Sequence, residues 1–463
     1  MHRLGLLTTL RLGLFQACLG CLAVIFSGLL NRVMLSELGF PGLLVGGALA
    51  FEQFMAPSRV LFGQVSDAHP FAGRHRVPYI WVGTVLFCAL AVLSIPLIFQ
   101  VSALLQAREP WALAGGIAAL CGLFALYGLA VSLATTPYLA LVIDRTSEAE
   151  RPRAVGLIWC LLTVGIVVGA IAVGLSLRGL DGISDPAVLQ PVLMAFLLKV
   201  AAVVLLLTLV ATVGIEQPRR PRFATGSPHR DDAITLAQAW ALITSSRQVL
   251  VFFSFLLLFT LGLFLQDPIL ESYGAEVFGM PIAATASLNA VWGSGTLLGL
   301  LLAGLLVVPR LGKLATARLG CQLILASLVL LLLVGLSGRV ALLQLVLLLF
   351  GLSAGIGTNS ALVLMLDLTL PEAAGTFVGV WGLAQALSRA LGKVLGGGLL
   401  DLGRLLQHHL PLAHGAYPPF GLVLGVEALV ALAALVALGR VNLRQFREDT
   451  ERSLSKVLAL ELG

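Results

Sequence analysis

Apolar residues run for 20 positions or more, many times over, and the polar residues gather in short clusters between the runs. A helix rises 1.5 Å per residue, so about 20 residues cross a hydrocarbon core roughly 30 Å thick. Set against their charged, Pro and Gly breaks, the runs predict twelve spans. These are 12–35, 42–65, 78–100, 112–142, 153–175, 191–214, 249–272, 282–308, 314–336, 339–366, 374–400 and 417–439. A membrane barrel would show segments of about ten residues with alternating polarity instead, and that pattern is absent.

The punctuation between runs repeats. "DRTSEAERPRAVGLIW" (144–159) follows the fourth span, and "DLTLPEAAGTFVGVWG" (367–382) follows the tenth. Asp144/Asp367, Thr146/Thr369, Val155/Val378 and Gly156/Gly379 stand at the same offsets, 223 residues apart, and a Trp follows in each. Equivalent loops after the fourth span of each half predict two parallel six-helix repeats. The expected fold class is an all-α polytopic membrane protein of twelve transmembrane helices.

Composition sharpens this reading. The 463 residues are 59% hydrophobic and 11% charged, with mean hydropathy +1.01, too little polar surface for a soluble globular domain. The first apolar run is longer than a signal-peptide core and lacks a clear small-residue cleavage site, so it is expected to be a retained span. All six cysteines fall within predicted spans, where free thiols pack as small apolar groups, which makes a disulfide framework or a zinc site unexpected. Cys18 and Cys21 form a C-x-x-C without the accessible, electropositive setting that a redox pair needs.

Charge sets the expected orientation. Twenty of the 29 Lys and Arg fall on the side that carries both termini and five on the other, while Arg59, Lys199, Arg389 and Lys393 lie within spans. The positive-inside rule places both termini in the cytoplasm, as an even number of spans also requires. The predicted organisation is an N-terminal half (1–214), a cytoplasmic linker (215–248), a C-terminal half (249–439) and a cytoplasmic tail (440–463). The linker opens on the basic, Pro-rich "EQPRRPRFATGSPHRDD", and its "ITLAQAWALI" has the pattern of a short surface helix.

The loop after the second span reads Gly63-Gln-Val-Ser-Asp67 and then Gly73-Arg74-His75-Arg76. It resembles the G-x-x-x-D, Gly and basic pattern of the major facilitator superfamily, with three extra residues between the Asp and the second Gly. In the second half Gly304 precedes Arg310, Gly312 and Lys313, but Val308 stands where the acid would be. "SDAHPFAGRHRVPYIWVGT" and "LATTPYLALVIDRTSEAERPRAVGLIW" are similar to the PucC, or bacteriochlorophyll-delivery, branch of that superfamily in phototrophic bacteria. The likeness extends in spacing over nearly the whole chain. It implies a role in assembling light-harvesting or photosystem complexes in a cytoplasmic, thylakoid or intracytoplasmic photosynthetic membrane. It also implies chlorophyll or bacteriochlorophyll as a ligand, and light-harvesting or photosystem subunits and pigment-synthesis enzymes as partners beside the lipid bilayer.

Ionisable side chains at membrane depth each cost at least about 2.5 kcal/mol on insertion scales, which makes them candidates for function. Glu52 and Arg59 share one face of the second span, with Gln53 beside the acid; Gln385, Arg389 and Lys393 share a face of the eleventh. In the resembled fold these spans meet between the halves, so Glu52 is expected to pair with Arg389 or Lys393, either to gate or simply to neutralise charge. Asp67 with Arg74 and Arg76, and Asp144 with Arg151 and Arg153, read as cytoplasmic latches, or equally as solvated loop charges. Asp367 and Glu372 occupy the matching loop of the second half, which has no Lys or Arg of its own.

Asp267, Glu271 and Asn359 are candidate cavity-lining groups, because spans one, four, seven and ten line the cavity in the resembled fold. Pro268 predicts a break in the seventh span, and a plain helix end is an equal reading. His69, His75, His408, His409 and His414 all fall in loops, so a pigment's magnesium would need Glu52, an Asn or Gln, or a carbonyl. The Gly-rich "GLSAGIGTNS" and "GKVLGGG" lack phosphate-loop spacing and predict close helix packing. No nucleophile triad, metal cluster, dinucleotide fingerprint or nucleic-acid surface is present in the pattern, so a non-enzyme is expected. Two further readings stay open: a secondary transporter of a lipophilic or anionic small molecule, proton-coupled through Glu52 or Asp67, and a pigment-free assembly scaffold.

Overall fold

The computed structural model describes residues 6–69, 71, 73–107, 109–146, 151–180, 185–216, 247–368, 374–409 and 415–442. The side chains of Asp67, Arg151, Arg153 and Asp367, all of Glu372, most of the predicted linker and the tail beyond residue 442 lie outside them.

Every regular element among these residues is helical. In the first half these are α1 (Leu6–Ala23), continued by π-helical Val24–Leu30 and Val33–Glu37, then α2 (Gly42–Phe54), α3 (Ser58–Ala68), α4 (Val77–Ala107), α5 (Pro110–Arg145), α6 (Arg151–Ser176) and α7 (Pro186–Thr212). After the linker come α8 (Arg247–Phe264), α9 (Leu270–Glu276), α10 (Ile282–Leu302), π-helical Ala303–Val307, α11 (Val308–Leu311) and α12 (Lys313–Gly335). The series ends with α13 (Val340–Leu368), α14 (Ala374–His409) and α15 (Tyr417–Gly439).

Among the described residues nine helices are long and apolar enough to cross a membrane. Helices also occupy the other three predicted stretches. The 42–65 stretch is broken between α2 and α3, and the 249–272 stretch between α8 and α9. Both breaks have a covalent cause: Pro57 and Pro268 carry no N–H for the carbonyls of Gln53 and Phe264, four residues back. The third, α14, carries Arg389, Lys393, Asp401 and Arg404 along its length.

The chain packs as two compact units. One comprises Met1–Phe223, Asp267–Gly293 and Lys393–Phe420, the other Ala224–Gln266, Ser294–Gly392 and Gly421–Gly463. In the first, glycines set how closely helices approach. A Cβ on Gly20 or Gly165 would run into the backbone of the facing helix, α6 and α1 respectively. Phe26 stacks on Tyr127 at 4.0 Å and 16°. The buried Tyr138 hydroxyl donates to the Leu12 carbonyl at 2.9 Å, as an interior without water requires. In the second unit, Gly295 and Gly299 of α10 meet the α13 backbone, and Gly355, from the first Gly-rich stretch, meets the Thr296 carbonyl in return.

The start of α4 is held by a residue from the opening of the predicted linker. Glu216 accepts backbone N–H bonds from His75 (2.6 Å), Arg76 (3.1 Å) and Val77 (2.7 Å), donors left over at a helix N-terminus. Glu216→Ala is expected to destabilise the protein by about 1–2 kcal/mol, the usual loss of a capping acceptor. Glu216→Gln, which keeps one acceptor oxygen, should cost less. Thermal unfolding of the two variants in detergent checks the order.

Candidate functional site

Three polar groupings interrupt the apolar packing of the first unit. The first lies where α2 meets α14. Small residues let the backbones touch: a Cβ on Gly46 would collide with the Lys393 carbonyl, and one on Gly397, from the second Gly-rich stretch, with the Gly42 carbonyl. At one end of this seam the Asp401 carboxylate accepts from the backbone N–H groups of Gly42 (2.6 Å) and Leu43 (2.7 Å), capping α2. Further along, Lys393 Nζ stands 3.8 Å from Glu52 Oε2, the lysine side chain 6% exposed and the carboxylate 21%. That separation exceeds hydrogen-bond reach, so the attraction is electrostatic and little offset by bonding. Gly128 of α5 brings the Glu52 backbone close, since a Cβ there would lie 2.5 Å from its carbonyl oxygen. Gln53 and Gln385 are half-buried, and Arg59 is exposed.

The second grouping joins the π-helical end of the first span to the broken seventh and the start of the eighth. A π turn spaces residues differently from an α turn and redirects the side chains that follow. Here it presents Asn31 and Arg32 inward. Asn31 Nδ2 donates to the Pro268 carbonyl at 2.6 Å. The Arg32 guanidinium reaches Thr285 Oγ1 (2.7 Å), the Met280 carbonyl (3.1 Å) and Glu37 Oε1 (3.3 Å). Asn289 Nδ2 donates to Glu271 Oε1, and Gly28 leaves room for both, because a Cβ on it would lie 2.9 Å from Glu271 Oε1 and 3.1 Å from Asn289 Nδ2. Glu276 closes the edge, accepting from Ser36 (3.1 Å) and from Arg404 (2.9 Å).

The third grouping gathers the ends of α3, α4 and α5. Arg76 Nε faces Asp144 Oδ2 at 3.3 Å, and its Nη1 donates to Ser66 Oγ at 2.7 Å. Asp144 therefore meets Arg76, from the other predicted latch. Gly73 has φ +72° in the turn that bonds Phe71 to Arg74, a backbone region that L side chains avoid. Gly63 sits in ordinary contact with Thr136.

In the second unit, Asn359 Nδ2 donates to the Leu300 carbonyl at 3.1 Å. Arg389 lies over the Phe264 ring, 4.4 Å from its centroid, at the C-terminal end of α8 where a cation is favoured. Glu427, fully buried in α15, accepts from the Gln266 backbone N–H at 3.4 Å, two residues on. Both charged side chains thus reach the same interrupted end of α8.

Sequence reasoning named Glu52, Lys393, Arg76, Asp144, Asp267, Glu271 and Asn359. It missed Asn31, inside the predicted first span, and Arg32, counted among the charges of the outer side, along with Asn289 and Asp401. Glu427 was legible as the one acid in the apolar 417–439 stretch and was still passed over. Of the histidines expected in loops, His408 and His409 instead form the last turn of α14, His69 and His75 lie beside helix ends, and His414 lies outside the described residues.

Known proteins place this architecture. The fold is similar to that of the nucleoside transporter NupG, with TM-score 0.66 at 16% identity over 94% of this chain and 98% of that one. It is also similar to a bacterial homologue of the iron transporter ferroportin in its inward-facing state, with TM-score 0.67 at 15% identity over 94% and 99%. In sequence, the chain is 32% identical to a protein named "Bacteriochlorophyll synthase 44.5 kDa chain" of Rhodobacter capsulatus, over 95% of this chain and 97% of that one. It is 31% identical to an uncharacterized protein of the puhA-bchM intergenic region of Rhodobacter capsulatus, over 85% and 80%. A third relative, "Protein PucC" of Rhodovulum sulfidophilum, is 30% identical over 88% of each chain. The model of the family described as "PUCC protein" matches residues 29–446, and the chain belongs to that family.

Proposed function

We propose that this protein binds a bacteriochlorophyll-type pigment within a photosynthetic membrane and hands it to light-harvesting or photosystem apoproteins during their assembly, without catalysing a reaction on it. The observation that carries this reading is the relative named as a bacteriochlorophyll synthase chain, aligned over 97% of its length. The polar groups support it. The pigment ring is a broad apolar surface with one magnesium that takes an axial oxygen or nitrogen. Glu52, partly exposed beside Gln53 near the end of α2, offers such an oxygen. The Arg76–Asp144–Ser66 grouping lies on the side that the positive-inside rule assigns to the cytoplasm, and there it acts as a latch.

The test is pigment extraction and an absorption spectrum of protein purified gently from its own membrane, with identification of the proteins that come with it. The expected result is about one pigment per chain, reduced at least about tenfold in Glu52→Leu at equal folded yield; tenfold corresponds to about 1.4 kcal/mol of binding. A colourless protein that still brings down light-harvesting subunits would replace this reading with a scaffold. The likeness of fold to two transporters favours one second reading, a carrier of a lipophilic or anionic small molecule. Gradient-driven uptake of such a compound into vesicles, without bound pigment, would establish it.

A further inference from the structure

The buried cluster around Glu271 holds a carboxylate oxygen that no hydrogen-bond donor serves. Glu271, Asn31 and Ser272 are 1%, 0% and 0% exposed. Among the described residues Glu271 Oε2, Asn31 Oδ1 and Ser272 Oγ have no hydrogen-bond partner. The Asn31 amide is fixed in orientation, since the Pro268 carbonyl needs its nitrogen as donor, so Oδ1 can only accept. Glu271 Oε1 already takes the Asn289 amide. Ser272 Oγ serves neither of the two remaining acceptors. These groups lie within a turn of one another on both segments: Gly28, against the Glu271 carboxylate, is three residues before Asn31, and Pro268, against Asn31, is three before Glu271.

An orphaned acceptor in a dry interior costs about 1–3 kcal/mol, and an ionised carboxylate lacking donors costs more. The charged groups that face Glu271 are Asp267 from its own segment and Arg32 from the first span. Arg32 is committed to Thr285, Met280 and Glu37, and Glu276, next along α9, is held by Arg404. Residues 282–293, packed opposite, carry no charge. A proton on Oε2 removes a buried charge that no donor at that oxygen serves.

We propose that Glu271 holds a proton while this cluster is closed and releases it when the cluster opens, so that protonation of one carboxylate is coupled to the protein's movement. On opening, the O–H bond breaks, its electron pair stays on Oε2 and the proton passes to the water admitted. The inference does not depend on pigment being the cargo.

The experiment is an infrared pH titration of the full chain in lipid nanodiscs, paired with backbone hydrogen exchange. At neutral pH the wild type should show the carbonyl stretch of a protonated carboxyl group, shifted in Glu271→Asp and lost in Glu271→Gln. Exchange at residues 270–276, corrected for intrinsic rates, should speed at least about tenfold when pH is raised through the loss of that band, as for a proton bound tenfold more tightly in the closed form. In Glu271→Gln the same amides should ignore pH. No protonated band at neutral pH in the wild type overturns the proposal, as does one unaltered by either substitution. Exchange that responds to sodium and not to pH overturns it too, making the cluster a metal-cation site. The wild-type spectrum and the Asp variant decide the matter even if Glu271→Gln folds poorly.

Discussion

Gly46→Ala is expected to unseat the packing of α2 on α14, whereas Gly47→Ala, one position on, should leave the protein folded and slightly more stable. A Cβ at residue 46 collides with the Lys393 carbonyl oxygen and comes within 2.8 Å of its carbon, both main-chain atoms that no rotamer change can move aside. Backbone displacement of that kind costs about 2–3 kcal/mol or more. It would also pull Lys393 from Glu52 and Asp401 from the start of α2, so the losses compound. Nothing lies within 4 Å of the corresponding atom at residue 47, where Ala instead removes the helix penalty of Gly, about 1 kcal/mol. Monodisperse yield and thermal unfolding in detergent, measured side by side, should move in opposite directions. Two neighbouring substitutions with the same effect would contradict the seam.

Arg32→Met should be comparably damaging for an electrostatic reason. The substitution keeps much of the apolar volume but abandons Glu37, Thr285 and the Met280 carbonyl inside the protein. Removing one partner of a buried ion pair costs about 3–5 kcal/mol. Arg32→Lys should fall between, because a point charge cannot serve three acceptors as a planar fork does. Neutralising the abandoned acid as well, in Arg32→Met with Glu37→Gln, should recover part of the loss, and unfolding midpoints of wild type, Arg32→Met, Glu37→Gln and the double variant complete the cycle.

What the sequence disclosed and what it withheld follow from the range of each interaction. Spans were legible because crossing a bilayer needs a long apolar run, a property summed over about 20 consecutive residues. The break before Glu271 was legible because Pro268 acts on its own turn. Arg32 was tallied with the charges of the outer side because a charge near a run's end is assigned to the water. Its partner Thr285 lies 253 residues away, and no local pattern announces the π turns that aim it inward. Glu52 was expected to pair with Arg389 or Lys393 because all three are rare charges in apolar runs; Lys393 stands beside it, and Arg389 lies over Phe264 instead. Asp401 was lost among the polar residues that close α14, although it holds the first turn of α2. Glu427 shows the opposite failure, a lone acid in a conspicuous place that no pairing argument reached.

The α2 cap also fixes an order of events during biosynthesis. Gly42 and Leu43 leave the ribosome early, and the carboxylate that serves them, Asp401, is made 358 residues after Leu43. At about 5–20 residues per second that interval is on the order of tens of seconds. Throughout it the nascent chain sits in the bilayer with the amides of α2 unserved and its glycine face uncovered. That uncovered face is a stretch on which an insertion chaperone or a membrane protease can act, and a chain that stops short of residue 393 keeps it permanently. A residue made 358 positions after Leu43 thus decides whether α2 counts as finished.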